Sequence, residues 1–146
     1  MATGTNQQGV LARKNALQVL HSARFKINYN DTGIATGVGT GIWLPAGALI
    51  KGTDVWITTA FNAATTNVLS IGTEASTYTN LATNAQTVSG TPGVKKELIA
   101  TGLAIVPLAA DSQIFYLYTQ TGTAATAGVA YVVVNYYVDN DRNAGT

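Results

Sequence analysis

Cysteine is absent from the 146 residues, so neither a disulfide framework nor a thiolate metal site can form. Histidine occurs once, at His21, and proline three times. No apolar run approaches the ~20 residues that span a bilayer, so no membrane contact is expected. The opening MATGTNQQGVLARK lacks the apolar stretch of a secretory signal, which predicts a product used without export. Charge is the most telling scarcity. Only 10% of residues are charged, against about 25% in an ordinary soluble domain, and the net charge is +1. Repulsion therefore offers little protection against association. Thr, Ser, Asn, Gln, Gly and Ala take the place of the missing charge, giving a neutral, hydrogen-bonding surface suited to packing among neighbours.

The richest stretch lies at 112–139, SQIFYLYTQTGTAATAGVAYVVVNYYVD. Residues 113–120 alternate Ile114, Tyr116, Tyr118 with Phe115, Leu117, Thr119. Residues 128–138 set Val129, Tyr131, Val133, Asn135 and Tyr137 on one face and Ala130, Val132, Val134, Tyr136 and Val138 on the other. β-Branched and aromatic residues in this alternation form strands, and the small polar QTGTAATAG between them predicts a hairpin. The second arm is apolar on both faces, so it must be covered twice, by its own core and by a second layer or another subunit. Tyr131, Val133 and Tyr137 are thus candidate residues of a homo-oligomer interface.

Further strands are expected at 24–29, 42–44, 49–51, 54–60, 68–72, 95–101 and 103–106, parted by turn-forming residues. Residues 55–72 read as a second hairpin. Residues 74–91 are polar and irregular, with Tyr78 and Leu81 as anchors to the body. Many short strands argue for an all-β sandwich or barrel in one domain. Residues 1–22 read as a flexible arm and 23–146 as the sandwich. A short helix or irregular strand over part of 11–21 is the other reading of the arm.

Catalytic material is thin. His21 has no acid nearby in sequence to orient it. Asp31, Asp54, Glu74 and Asp111 sit beside turns, where carboxylates act as caps. Asp139-Asn140-Asp141 is a fragment of a calcium loop without its remaining ligands or glycine. The glycines at 37–41 precede no helix pattern, so they read as a flexible loop and not a phosphate cradle. No enzyme and no cofactor are expected. Arg13, Lys14, Arg24 and Lys26 are unopposed by any acid before Asp31. Four such cations can contact phosphates, but they are dispersed and have few aromatics interleaved. Contact with an acidic protein surface explains them equally well, and the protein partner is the favoured reading.

The segments VWITTAFNAATTNVLSIGT at 55–73 and LAIVPLAADSQIFYLYTQTGTAATAGVAYVVVNYY at 103–137 resemble small decoration or cement proteins of tailed bacteriophages. The likeness covers about 42–138. It rests on Pro-Ala-Gly before a strand, Thr-Ala-Phe-Asn in the first hairpin, and Thr-Gly…Ala-Gly before the Val-rich last strand. This resemblance implies a jelly-roll-like antiparallel sandwich and attachment to the major capsid protein on the outer capsid surface. It also implies a dimer or trimer, the trimer being favoured, and brings no catalytic residues. Arg13, Lys14, Arg24 and Lys26 are then candidate capsid contacts. The competing reading is a carbohydrate-binding module of a tail or fibre, with Trp43 and Trp56 stacking on sugar rings. Otherwise these tryptophans are core or interface aromatics.

Overall fold

The computed structural model describes residues 20–74, 76–99 and 107–138. Seven strands build two antiparallel sheets: β1 (His21–Asn28), β2 (Val38–Leu44), β3 (Leu49–Thr59), β4 (Thr66–Gly72), β5 (Gly93–Leu98), β6 (Ser112–Thr121) and β7 (Val129–Tyr137). One sheet has the order β1-β7-β3-β5 and the other β2-β6-β4. Each strand in sequence lies in the sheet opposite its predecessor, and among the described residues the one return to the same sheet is made by a single residue after β4. There Ala82 makes an isolated bridge to Ile71, on the free side of β4, before β5 returns to the first sheet. With that bridge as a vestigial eighth strand, the order is that of a jelly roll. The all-β sandwich expected from strand periodicity is the observed architecture.

Two expected hairpins are not hairpins. β6 and β7 belong to different sheets, as do β3 and β4, so both connections arch over the core. Alternation fixes which side of a strand is apolar, but two strands facing each other across a core alternate just as two neighbours in one sheet do. The stretch at 112–139 is still central. β6 is the middle strand of its sheet, and β7 lies between β1 and β3. Phe61 anchors the β3–β4 arch: it is fully buried, 4.7 Å from the Tyr118 ring, and its N–H bonds to the Ser89 carbonyl. Gly128, in the second arch, lies directly against Phe61. A Cβ there would stand 2.5 Å from the Phe61 ring, on a backbone already at φ +155°.

The glycines at 37–41 are another departure. Instead of a loop, residues from Val38 onward form β2, whose register against β6 shifts between Gly39 and Trp43. Gly41, at φ +75°, supplies the left-handed backbone of that bulge. β1 begins at His21, two residues before the expected arm boundary. β5 starts at Gly93 and ends at Leu98, earlier at both ends than the expected 95–101. The expected strand at 103–106, the calcium-loop fragment, Arg13 and Lys14 lie outside the described residues.

The core is the sheet–sheet interface: Ile27, Val55, Ile57, Val132 and Val134 from the larger sheet face Leu44, Leu69, Ile71, Ile114 and Tyr118 from the smaller. Leu81 is buried, and Tyr78 stacks on Phe115 at 4.9 Å, so both serve as the anchors expected of them. Side chains satisfy the free edge of β4. A single helical turn, α1 (Asn84–Thr87), places Asn84 Oδ1 to accept from Leu69 N–H and Thr87 Oγ1 to donate to the Leu69 carbonyl. Ser89 Oγ donates to the carbonyl of Asn67. These groups replace the ladder that a full eighth strand would supply. No helix among the described residues is long and apolar enough to cross a membrane.

Candidate functional site

The outer face of the larger sheet carries an open apolar and basic surface. Period-two alternation in β7 turns Ala130, Val132 and Val134 into the core, and Tyr131 and Val133 outward. Strand register then sets their neighbours. Lys26, Tyr131, Trp56 and Val94 form one row across all four strands. Arg24, Val133 and Asp54 form the next. Trp56 is 54% exposed and Tyr131 41%, high values for large apolar side chains on the inner strands of a sheet, and Val94 on the edge strand is 53% exposed. Together the two rows line a shallow groove of about 530 Å³.

Aromatic and polar contacts order this groove. The Trp56 and Tyr131 rings lie 6.1 Å apart at 41°, and the Lys26 ammonium sits 5.9 Å from the Tyr131 ring centre. Asp54 Oδ2 accepts from Asn135 Nδ2 at 3.1 Å, and its Oδ1 accepts from the Glu97 backbone N–H at 2.7 Å. Ser22 Oγ donates to Asn135 Oδ1, extending the network to β1. Arg24 makes no hydrogen bond or ion pair among the described residues. The groove thus has an aromatic floor, two cations on its β1 side and a carboxylate already held by its neighbours.

Four residues singled out from the sequence therefore converge. Arg24, Lys26, Tyr131 and Val133 share one face, although the first two were read as capsid contacts and the last two as an oligomer interface. Tyr137 is on the same face at the far end of β7, opposite Leu49. Trp43 and Trp56 are not core residues. Trp43 is 59% exposed on β2, in the other sheet, so the two tryptophans cannot form one sugar platform. Val94 was missed, because the Lys-Lys-Glu that follows it breaks the alternation by which strands are recognised.

The expected turn carboxylates are engaged locally. Asp31 accepts from the backbone and side chain of Asn28 and from the Tyr116 hydroxyl at 2.8 Å. Burial pushes the Asp31 carboxyl up, but these hydrogen bonds and the nearby Lys26 charge outweigh it and leave it below the ordinary value. Tyr116 is pushed up, first by burial and then by its bond to Asp31. Glu74 holds the 77–80 loop, and Asp111 accepts from Ala46 N–H. The His21 ring stacks on Tyr136 at 5.5 Å, with Nε2 buried and unpartnered among the described residues.

No family model and no curated protein matches the chain. Solved structures do. A chain of the cyanophage Pam1 capsid asymmetric unit matches with a TM-score of 0.55 and 18% identity, over 82% of this chain and 85% of that one. A chain of the acid-stable capsid of Helicobacter pylori bacteriophage KHP30 matches at 0.57 and 12%, over 84% and 90%. A chain of the Ralstonia phage GP4 capsid matches at 0.58 and 15%, over 84% and 86%. At these identities the likeness is one of fold.

Proposed function

We propose that this chain is a structural protein of a phage virion, without enzymatic activity, that decorates and cements the outer capsid surface by bridging major capsid protein subunits. The observation that carries the reading is the outer face of the β1-β7-β3-β5 sheet. It offers Trp56, Tyr131, Val133 and Val94 to solvent with Arg24 and Lys26 beside them. Exposed aromatics flanked by cations, which docking would bury, are the pattern of a protein–protein contact. Near-full-length likeness to chains of three phage capsid structures supports the setting. Contacts made only in the assembled shell stabilise that shell, and many copies make modest affinities collectively large. Arg13 and Lys14 are proposed to add capsid contacts from the preceding segment.

The test is binding to capsids stripped of this protein. Replacing both aromatics (Trp56→Ala with Tyr131→Ala) is expected to weaken binding at least tenfold while the sandwich stays folded. Charge reversal at Arg13 and Lys14 is expected to weaken it further, most strongly at low salt. Equal binding by folded variants would overturn this face as the docking surface. A second reading keeps one supporting observation: the exposed Trp56–Tyr131 pair could stack on a sugar ring. Glycan-array binding abolished by Trp56→Ala, with no capsid binding, would favour that reading.

A further inference from the structure

Among the described residues no strand pairs with the outer edge of β1, and its backbone parity can be read from its ends. Tyr29 N–H bonds to the Gly128 carbonyl, which makes the odd residues of β1 the ones that exchange hydrogen bonds with β7. The even residues must point their N–H and C=O groups the other way. Asn28 confirms this, because its N–H bonds to Asp31 Oδ2 and its carbonyl accepts from Asp31 N–H, away from β7. Asp31 thus closes the last edge position. Upstream, the N–H and C=O groups of Ser22, Arg24 and Lys26 have no partner among the described residues. The strand there is regular, without bulge or proline, so it is a template for another strand.

Charge selects the occupant. Arg24 and Lys26, two residues apart, stand on the outer face of this edge. A second β1 would set like charges opposite one another, which is unfavourable. Of the seven acids in the chain, the five described ones are engaged at home. Asp31, Asp54, Glu74 and Asp111 hold backbone groups and Glu97 pairs with Lys51. The remaining two are Asp139 and Asp141, also two residues apart, just past the end of β7. β7 ends beside the start of β1, where His21 pairs with Tyr136, so a segment that continues outward from it can reach a neighbouring copy. Nine residues follow Tyr137, enough for about 30 Å of extended chain, whereas pairing along 22–26 needs about 17 Å.

We infer that residues 138–146 of a neighbouring copy add as a strand to the open edge of β1, with Asp139 and Asp141 facing Arg24 and Lys26. The contact is heterologous, edge to tail, so it propagates from copy to copy, closing into a ring where the rotation between copies allows. Arg24 and Lys26 then stand at a junction, their stems walling the docking groove and their charged ends meeting the neighbour's carboxylates.

The test is sedimentation of the full chain without capsids, beside a chain ending at Val138 that retains every described strand. The full chain is expected to associate at tens of micromolar and the shortened one to remain monomeric. Neutralising both aspartates (Asp139→Asn, Asp141→Asn) is expected to weaken association roughly tenfold. Reversing Arg24 and Lys26 to Glu should block self-association, and mixing that variant with Asp139→Lys/Asp141→Lys should restore it. Amide exchange gives the backbone signature: Ser22, Arg24 and Lys26 should exchange fast in the shortened chain and slowly in the assembly. A monomeric full chain, unchanged association after truncation, or failure of the charge swap would each overturn the inference. Capsid binding by the monomeric shortened chain reports separately on the docking face.

Discussion

Tyr116→Phe tests the tie that joins the two sheets at one end of the sandwich. Tyr116 belongs to β6, while its hydroxyl donates at 2.8 Å to Asp31, in the turn that follows β1 of the other sheet. Only the oxygen is removed. The ring keeps its place against Phe25, 6.0 Å away and nearly parallel, so no cavity opens. A hydrogen bond to a charged acceptor contributes ~1.5–3 kcal/mol when buried, and solvent near Asp31 reduces that to about 1–2 kcal/mol.

The pH dependence follows from the carboxylate. Asp31 is held below its ordinary value of 3.8, so its contribution is complete above that pH and is lost as pH falls through the lower folded value. Urea unfolding at pH 7 should show the full loss for Tyr116→Phe. As pH falls through the lowered Asp31 value the difference should shrink, because a neutral carboxyl accepts a weaker bond. At the alkaline end the phenol, raised above 10.0, keeps its share of stability up to that pH and loses it above. A coupling of about 1 kcal/mol between Tyr116→Phe and Asp31→Asn in a double-mutant cycle would confirm the pairing. Destabilisation equal at both acid and neutral pH, or additive with Asp31→Asn, would refute the reasoning.

Gly128→Ala should destabilise by about 3 kcal/mol in urea melts, since its Cβ meets the immobile Phe61 ring on a left-handed backbone. A loss below about 1 kcal/mol would mean the second arch can move off Phe61. Thr87→Val keeps the side-chain shape but leaves the Leu69 carbonyl unpaired, and should cost about 1–2 kcal/mol by the same assay. No measurable loss would show that α1 does not stand in for the eighth strand. Trp56→Ala and Tyr131→Ala should each cost about 1 kcal/mol or less in stability, because both rings are partly exposed, while under the proposed function their effect on capsid binding is expected to be large.

Legibility followed the physics of each signal. Side-chain alternation is local, so the faces of β1, β3, β6 and β7 could be assigned from sequence, and Tyr131 and Val133 were placed together correctly. Pairing is not local. Nothing in residues 121–128 distinguishes a turn within a sheet from an arch between sheets, because both need small and polar residues. Bulges also escaped. Gly39 and Gly41 read as loop because β2 carries them where a strand crosses close to Gln113 and Phe115 and then shifts register. The cations and aromatics were assigned to separate surfaces because 105 residues part Lys26 from Tyr131, although the register sets them side by side.

The scarcity of charge and the open outer face have one physical explanation under the proposed function. A monomer that exposes the face of a sheet ordinarily covers it with polar and charged side chains. Here the central row carries Tyr131, Trp56 and Val94, with Lys26 at its β1 end, laid over an aromatic ring. Surface that is covered in the working state gains nothing from solvating charge, and each charge placed there would have to be desolvated on docking. The edge of β1 follows the opposite rule. Among the described residues its backbone groups have no partner at Ser22, Arg24 and Lys26, and under the inferred pairing its two cations would repel a copy of itself and accept an acidic strand. Under the proposed function and the inferred strand pairing, an apolar face and a selectively charged edge would let one sheet bind two different partners at once, the shell beneath it and the neighbour beside it.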